Sequence, residues 1–418
     1  MQGTPKGLRL HIGIFGRRNV GKSSILNALT RQNVAIVSAI AGTTTDPVEK
    51  AMELQPLGPV LFIDTAGIDD VGALGALRVQ KTLQVLGRTD LAILVTDQWL
   101  EYEDRLLAAL RAQSTPVIVA ANKADLRADG AAENAARQAG AAPVVTVSAT
   151  AGTGLEELRR AILEAAPEEY LNSASLVGDL LPAGSLAVLV VPIDLEAPKG
   201  RLILPQVQTL RDILDHDSYA MVVKERELAD ALGRLGRPPA LVITDSQEFL
   251  KVSADVPPEV PLTSFSILFA RFKGDLAELA RGAVAIDRLR KGDRVLIAEA
   301  CTHHPTGEDI GRVKIPRWLE QYAGARIEFD IKAGSEYPED VRPYKLIVHC
   351  GACVWNRRQM LCRIAQSRTQ GVPITNYGMT IAHTLGILDR ALGPFPFARE
   401  AYQAARGKGP AAAGGIRE

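Results

Sequence analysis

Cysteine is scarce in this chain: four in 418 residues, none before Cys301. So few cannot staple a protein of this length, and their confinement between Cys301 and Cys362 asks for another use. Charge of one sign is not in excess either. Lys+Arg and Asp+Glu stand at 48 each, so no global field draws the chain to nucleic acid or to an anionic membrane. Long hydrophobic runs are also missing. The longest, such as residues 186–193, have the length of a strand and fall far short of a bilayer span. No secretory leader is expected either, because Met1 leads within a few residues into a buried-strand pattern at 10–15. These absences predict a cytoplasmic protein with no membrane or nucleic-acid partner. No internal repeat is visible. What is present is apolar material, 47% of the residues, enough for the two to three domains that this length implies.

Three segments divide the chain. In the first, residues 1–170, short apolar strands at 10–15, 60–64, 91–95, 117–121 and 144–148 alternate with helical stretches, one of them the alanine-rich 128–142. That alternation predicts an α/β fold with a doubly wound, mostly parallel sheet and ligands at the strand carboxyl ends. The middle segment, 173–264, has strand patterns at 186–193, 219–223 and 240–244 and a helix near 225–235. It carries no chemical motif and reads as scaffold or dimer contact, with a seam at the proline-rich 256–261. The third, 265–405, alternates again: a helix over 275–289, then strands at 295–299, 327–331, 346–348 and 372–376. Two smaller α/β domains are therefore expected after the first. The Gly/Ala/Pro-rich end, 406–418, reads as a disordered tail.

Gly16-Arg17-Arg18-Asn19-Val20-Gly21-Lys22-Ser23-Ser24 follows the first strand and opens a helix. Glycines there let backbone N–H groups wrap phosphates at a helix N-terminus, Lys22 reaches the β- and γ-phosphates, and the Ser23 hydroxyl suits Mg²⁺. Asp64-Thr65-Ala66-Gly67 ends the second strand; Asp64 would join the Mg²⁺ shell and the Gly67 amide sense the γ-phosphate. Asn122-Lys123-Ala124-Asp125 ends another strand. A carboxylate at Asp125 accepts both N–H groups of the guanine edge, a donor pair that adenine lacks, while Asn122 ties the loop and the Lys123 stem covers the base. Ser148-Ala149-Thr150, at the next strand end, resembles the loop whose backbone amide meets guanine O6. Together these point to GTP. Thr43-Thr44-Thr45 lies where a mobile switch belongs, and Thr44 is taken as the hydroxyl that joins Mg²⁺ when the γ-phosphate is present.

With these elements the first segment resembles the translation-factor-related GTPases of the Era and MnmE type. The resemblance implies that Asn19 binds K⁺ beside the phosphates, as in potassium-activated members, so Lys22, Asn19 and Thr44 are the residues expected to promote hydrolysis. Ile68 stands where a Ras-like enzyme has a water-orienting glutamine, which implies slow intrinsic turnover.

The cysteines sit at two strand ends. Residues 295–299 run into Cys301-Thr302-His303, and residues 346–348 into His349-Cys350-Gly351-Ala352-Cys353. If both strands are parallel in one sheet, all five donors meet at its carboxyl edge. Spacing alone leaves structural cysteines, a redox Cys-X-X-Cys, a zinc site and an iron–sulfur cluster open. Cys362 reads as a packed helix residue, and Arg357, Arg358, Arg363 and Arg368 as a solvated helix face or, as the alternative, a docking surface for a partner.

A leading GTPase segment, then Cys-X-His, 45 intervening residues and His-Cys-X-X-Cys, resembles the FeFe-hydrogenase maturation GTPases. Phe265-Ser266-Ile267-Leu268-Phe269-Ala270-Arg271, the stretch 310–317 and Ile374-Thr375-Asn376-Tyr377-Gly378 look the same way. The resemblance implies a GTPase domain, a dimerisation domain over 173–264 and a cluster-binding domain over 265–405. It implies a 4Fe–4S cluster on Cys301, Cys350 and Cys353, with His303 and His349 as candidates for a fourth, exchangeable position. It further implies a homodimeric scaffold that carries a transient di-iron precursor to apo FeFe-hydrogenase, alongside radical-SAM maturases. The alternative is an Era-type, RNA- or ribosome-associated GTPase with a structural zinc site.

Overall fold

The computed structural model describes residues 4–30, 47–55, 57–65, 84–126, 130–171, 175–192, 202–300 and 309–407. They form two compact units, 1–174 and 175–418.

In the first unit the strands are β1 (Leu10–Phe15), β2 (Val48–Leu54), β3 (Gly58–Asp64), β4 (Leu91–Thr96), β5 (Val117–Ala121) and β6 (Val144–Thr146). They make one sheet in the order β2-β3-β1-β4-β5-β6. Every pairing is parallel except β2 with β3, an antiparallel edge hairpin. β1 and β4 are buried along their whole length, as near-continuous apolar runs must be when helices cover both faces. Separate cores lie on the two faces, one around Ile12, Leu26 and Ile162, the other around Phe15, Leu94 and Leu110. β1 lies between β3 and β4, so the crevice past its carboxyl end is where a doubly wound sheet takes its ligand.

The second unit has two four-stranded sheets. Strands β7 (Leu186–Val190), β8 (Tyr219–Val223), β9 (Leu241–Thr244) and β10 (Leu262–Ser264) run in the order β10-β9-β7-β8. Strands β11 (Arg294–Glu299), β12 (Glu328–Ala333), β13 (Leu346–His349) and β14 (Ile374–Asn376) run in the order β12-β11-β13-β14. All pairings are parallel. One core joins both sheets, from Val188 and Phe249 through Leu268 to Ile347 and Met379, so the second and third segments share a hydrophobic interior. Register places Ala298 beside His349 and His349 beside Asn376, which brings the carboxyl ends of β11, β13 and β14 to one edge.

Some boundaries differ from the sequence reading. The helix expected over 275–289 is Leu276–Ala283 followed by a 3-10 turn, Val284–Arg288. The turn holds Asp287 where His383 and Tyr322 both donate to its carboxylate, at 2.8 and 2.7 Å. A final helix, Pro396–Gly407, carries order past residue 405; residues 408–418, most of the expected tail, lie outside the described residues. No described helix is long and apolar enough to cross a membrane.

Candidate functional sites

The phosphate loop begins where β1 ends. Gly16 has φ +148°, and a Cβ there would come within 2.2 Å of the Val95 carbonyl oxygen, so only glycine fits. Gly21, at φ +96°, is closed in the same way by the Asn122 amide nitrogen, also 2.2 Å from where its Cβ would be. Asn19 is exposed at φ +61°, and Val20 is buried beneath the loop. Lys22 opens the helix Lys22–Thr30, and its Nζ donates to the Gly16 and Arg17 carbonyls at 2.9 and 2.7 Å. The ammonium thus rests on the loop that it would leave for a phosphate. Ser24 follows Ser23 in the first turn of the helix.

Ser23 Oγ donates to Asp64 Oδ2 at 2.6 Å, joining the two expected Mg²⁺ residues. Burial raises the Asp64 pKa, while the Ser23 hydrogen bond and the Lys22 charge pull it down. Asp64 Oδ1 is buried with no hydrogen-bond partner. An unsatisfied buried carboxylate oxygen beside a hydroxyl is a donor set that fits a hard divalent cation or its water. Thr44 and Gly67 lie outside the described residues, as does Ile68.

Asn122 holds three loops together. Its Nδ2 donates to the Val20 carbonyl at 2.8 Å, and its Oδ1 accepts from the Ala149 amide at 3.2 Å. The Ala149 amide, in the loop expected to meet guanine O6, is thus tied to Asn122 in this structure. Ser148 Oγ donates to Asp125 Oδ1 at 2.6 Å and accepts from the Ala151 amide, which fixes the carboxylate that would read the base. Lys123, at φ +65°, pairs through Nζ with Asp97 Oδ2 at 2.8 Å, aligning its stem along the loop.

Sequence reasoning missed a support for this loop. Arg17 Nε donates to the fully buried Glu103 at 2.8 Å, and Arg17 also approaches Asp97 at 3.4 Å. Glu103 accepts from the Leu100 amide as well, capping the helix Glu101–Ala112. Asp97 thus links the phosphate loop to the base-reading loop. The signal was an acid just past β4, a strand end that no motif had claimed.

In the second unit, the strand ends meet at sulfur. The Ala300 amide donates to Cys350 Sγ at 3.1 Å, and the Cys350 amide donates to the Ala298 carbonyl at 2.8 Å. Ala300 is the residue before Cys301, which lies outside the described residues together with His303. Cys350 and Cys353 are not disulfide-bonded. Ala352, at φ +49°, makes the turn between them. Burial pushes the Cys353 thiol up, opposed by hydrogen bonds from the Cys353 and Val354 amides and by the Lys273 charge. Amides aimed at cysteine sulfur favour its anionic, metal-binding form, so the two thiols described fit a thiolate-held centre. Among the described residues, no three His, Cys, Asp or Glu side chains are grouped to hold a metal ion. Glu299, two residues before Cys301, is buried with one carboxylate oxygen unpartnered.

Two expectations are corrected here. His349 is not an open ligand in this structure. It is fully buried, its Nδ1 is 2.8 Å from the Cys350 carbonyl, and its Nε2 is 2.7 Å from Arg363 Nη1. The arginines also do not form a solvated face. Arg363 is only 7% exposed, and Arg357 Nη1 donates to the carbonyls of Arg271, Phe272 and Gly274. Arg368 alone of the four is exposed. Cys362 lies half-buried on the helix Arg357–Thr369.

A glycine-lined phosphate loop, an Asp–Ser pair beneath it and an Asn–Lys–X–Asp loop braced by serine define the first unit as a P-loop GTPase domain; residues 11–123 match the family described as 50S ribosome-binding GTPase. The rest of the chain decides which GTPase. It belongs to the hydrogen maturase F family: residues 176–274 match that family's dimerization domain and 277–394 its tetramerization domain, together more than half of the chain. Among curated proteins, GTPase Der of Wolinella succinogenes is 36% identical over 167 residues, 37% of this chain and 35% of that protein. The tRNA modification GTPase MnmE of Heliobacterium modesticaldum is 40% identical over 153 residues, 36% of this chain and 32% of that protein. The chain thus spans about a third of the length of the curated relatives it matches. Among solved structures, the G domain of the T. maritima FeoB iron transporter aligns with 27% identity and a TM-score of 0.30, over 38% of this chain and 98% of that one. The matches over 176–394 lend no support to an RNA-associated GTPase with a zinc site.

Proposed function

We propose that this chain is a GTP-hydrolysing carrier that holds a 4Fe–4S cluster at the β11/β13 edge. In this reading it passes a di-iron precursor to apo FeFe-hydrogenase in concert with radical-SAM maturases. The observation that carries the reading is the Ala300 N–H to Cys350 Sγ hydrogen bond, which sets the start of the Cys301 segment against the Cys350–Cys353 turn. Cys301, Cys350 and Cys353 would hold the cluster, with His303 near the fourth position. The cluster would supply an iron position that three thiolates leave open.

At the nucleotide, Lys22 leaves the Gly16 and Arg17 carbonyls for the β- and γ-phosphates, and Asp125 accepts the two guanine N–H groups. Ser23, Asp64 and Thr44 would hold Mg²⁺, which supplies charge neutralisation at the phosphates. Asn19 would add K⁺ beside them. GTP then acts as a switch on conformation or partner exchange, because its hydrolysis provides no iron chemistry.

A homodimer is proposed through β8. It is the edge strand of its sheet, its Tyr219 and Val222 are exposed, and so are Val207 and Leu214 on the neighbouring helix. An uncovered apolar edge is a ready template for a second strand.

Activation of apo-hydrogenase tests the whole reading. The anaerobically loaded chain should confer hydrogen evolution, and Cys350→Ser should abolish it while GTP turnover persists. Activation that survives Cys350→Ser, or stoichiometric zinc with no iron uptake, would defeat it.

A further inference from the structure

His349 and Arg363 form a unit that the cluster reading does not use. The Arg363 guanidinium lies between two aromatic faces, 4.0 Å from the Tyr337 ring centre and 4.1 Å from that of Trp355. Its Nη1 meets His349 Nε2 at 2.7 Å, and its Nη2 donates to the Gly334 carbonyl at 2.7 Å. These bonds settle the histidine tautomer without further assumption. A guanidinium has no acceptor, so Nε2 must offer its lone pair; a carbonyl has no proton, so Nδ1 must carry the hydrogen given to Cys350 O. Both ring nitrogens are committed. Turning the ring over would break both bonds and leave a buried cation facing carbon, which is costly.

Arg363 also needs an anion. It is 7% exposed, and neither of its hydrogen-bond partners is an acid. A buried guanidinium without a carboxylate is unfavourable unless other negative charge stands close by. Two groups act on its charge, the Tyr337 hydroxyl first and then the Cys350 sulfur, one residue from His349; of the two, the sulfur is the one that a metal centre would hold as an anion. The aromatic faces add cation–π attraction and fix the plane of the fork.

We propose that Arg363 is a positioning residue for the cluster edge: it occupies the Nε2 lone pair of His349, so that His349 stands behind Cys350 as a fixed hydrogen-bonding group and the fourth iron position falls to another donor. This rests on the cluster reading above. It also gives Arg363 an electrostatic role, since a buried positive charge beside thiolates favours the reduced, more negative cluster.

Two measurements separate this proposal from the reading beneath it. In the metal-free chain, nitrogen NMR of ¹⁵N-histidine should find His349 as the Nδ1–H tautomer; the Nε2–H tautomer would overturn the clamp whether or not iron binds. In the reconstituted, reduced chain, pulsed EPR with ¹⁵N-histidine should give the same nitrogen coupling in wild type and His349→Gln. A strong coupling lost in His349→Gln overturns the proposal. Arg363→Met should shift the cluster potential to more negative values and introduce a new histidine coupling, which the added His349→Gln removes. Arg363→Lys, which keeps the charge, should return the potential towards wild type. An unaltered potential and spectrum in Arg363→Met would also refute it. Failure of the wild type to take up iron would sink the cluster reading instead, leaving the tautomer result to stand alone.

Discussion

Asn122→Ala should loosen the whole nucleotide site, and the cost can be worked from the structure. The side chain is buried and makes two bonds to backbone, one to the Val20 carbonyl and one from the Ala149 amide. Alanine removes both partners and leaves two main-chain groups unsatisfied, each costing ~1–3 kcal/mol. The shortened side chain lets water approach the Val20 carbonyl, so the lower part of the range applies, about 2–4 kcal/mol in total. For a domain of this size that lowers the melting temperature of the GTPase unit by ~4–16 °C. Nucleotide must then re-register the phosphate and base loops itself, so GTP affinity should fall by up to ~30- to 700-fold. Titration with a fluorescent GTP analogue and calorimetric melting of the full chain measure the two effects. Asn122→Asp keeps the acceptor for Ala149 and loses the donor to Val20, and should show an intermediate melting loss. If Asn122→Ala binds GTP within about twofold of wild type and melts unchanged, the three-loop tie is not what shapes the site.

Asp125→Asn should lower GTP affinity by ~100-fold or more, from the loss of charge-assisted bonds to guanine, and raise the affinity for xanthosine triphosphate, whose 2-oxo group accepts an amide N–H. Competition binding reads both, and unchanged GTP preference would refute the base assignment. For Asn19, GTP turnover should be faster in K⁺ than in Na⁺ buffer, and Asn19→Ala should remove the difference; equal wild-type rates in the two buffers would end the potassium proposal. Val222→Lys places a charge on the exposed β8 edge and should shift light scattering from dimer to monomer without loss of GTP turnover. An unaltered dimer would point to another interface.

The nucleotide site was legible because its chemistry dictates residue type at fixed places. Backbone that must wrap a phosphate needs Gly16 and Gly21, and an apolar run ending in Asn122-Lys123-Ala124-Asp125 announces both a strand and its ligand edge. β1, β5 and β8 have the bounds that the apolar pattern implies. β2 was not anticipated, although Val48–Leu54 alternates half-buried and exposed residues as an edge strand should. Lys50 on the half-buried face and Ala51 on the exposed face mask that alternation. Arg363 was misread for a different reason. A basic run on a helix looks solvated unless the aromatic faces that enclose it are known, and Tyr337 and Trp355 reach it from separate segments. Burial assembled from distant residues leaves no periodicity in the local sequence. The same holds for His349, whose motif suggests a ligand until Arg363 is seen at its second nitrogen.

Iron and acid-labile sulfide analysis of the anaerobically reconstituted chain bears most directly on the carboxyl edge of β11 and β13. Wild type should hold about four iron and four sulfide per chain, as a 4Fe–4S centre requires. Serine at Cys301, Cys350 or Cys353 should each bring both values close to zero, whereas Cys362→Ser should leave them at wild-type level. Retention of the full complement in Cys301→Ser would mean that the two strand ends do not share one metal centre.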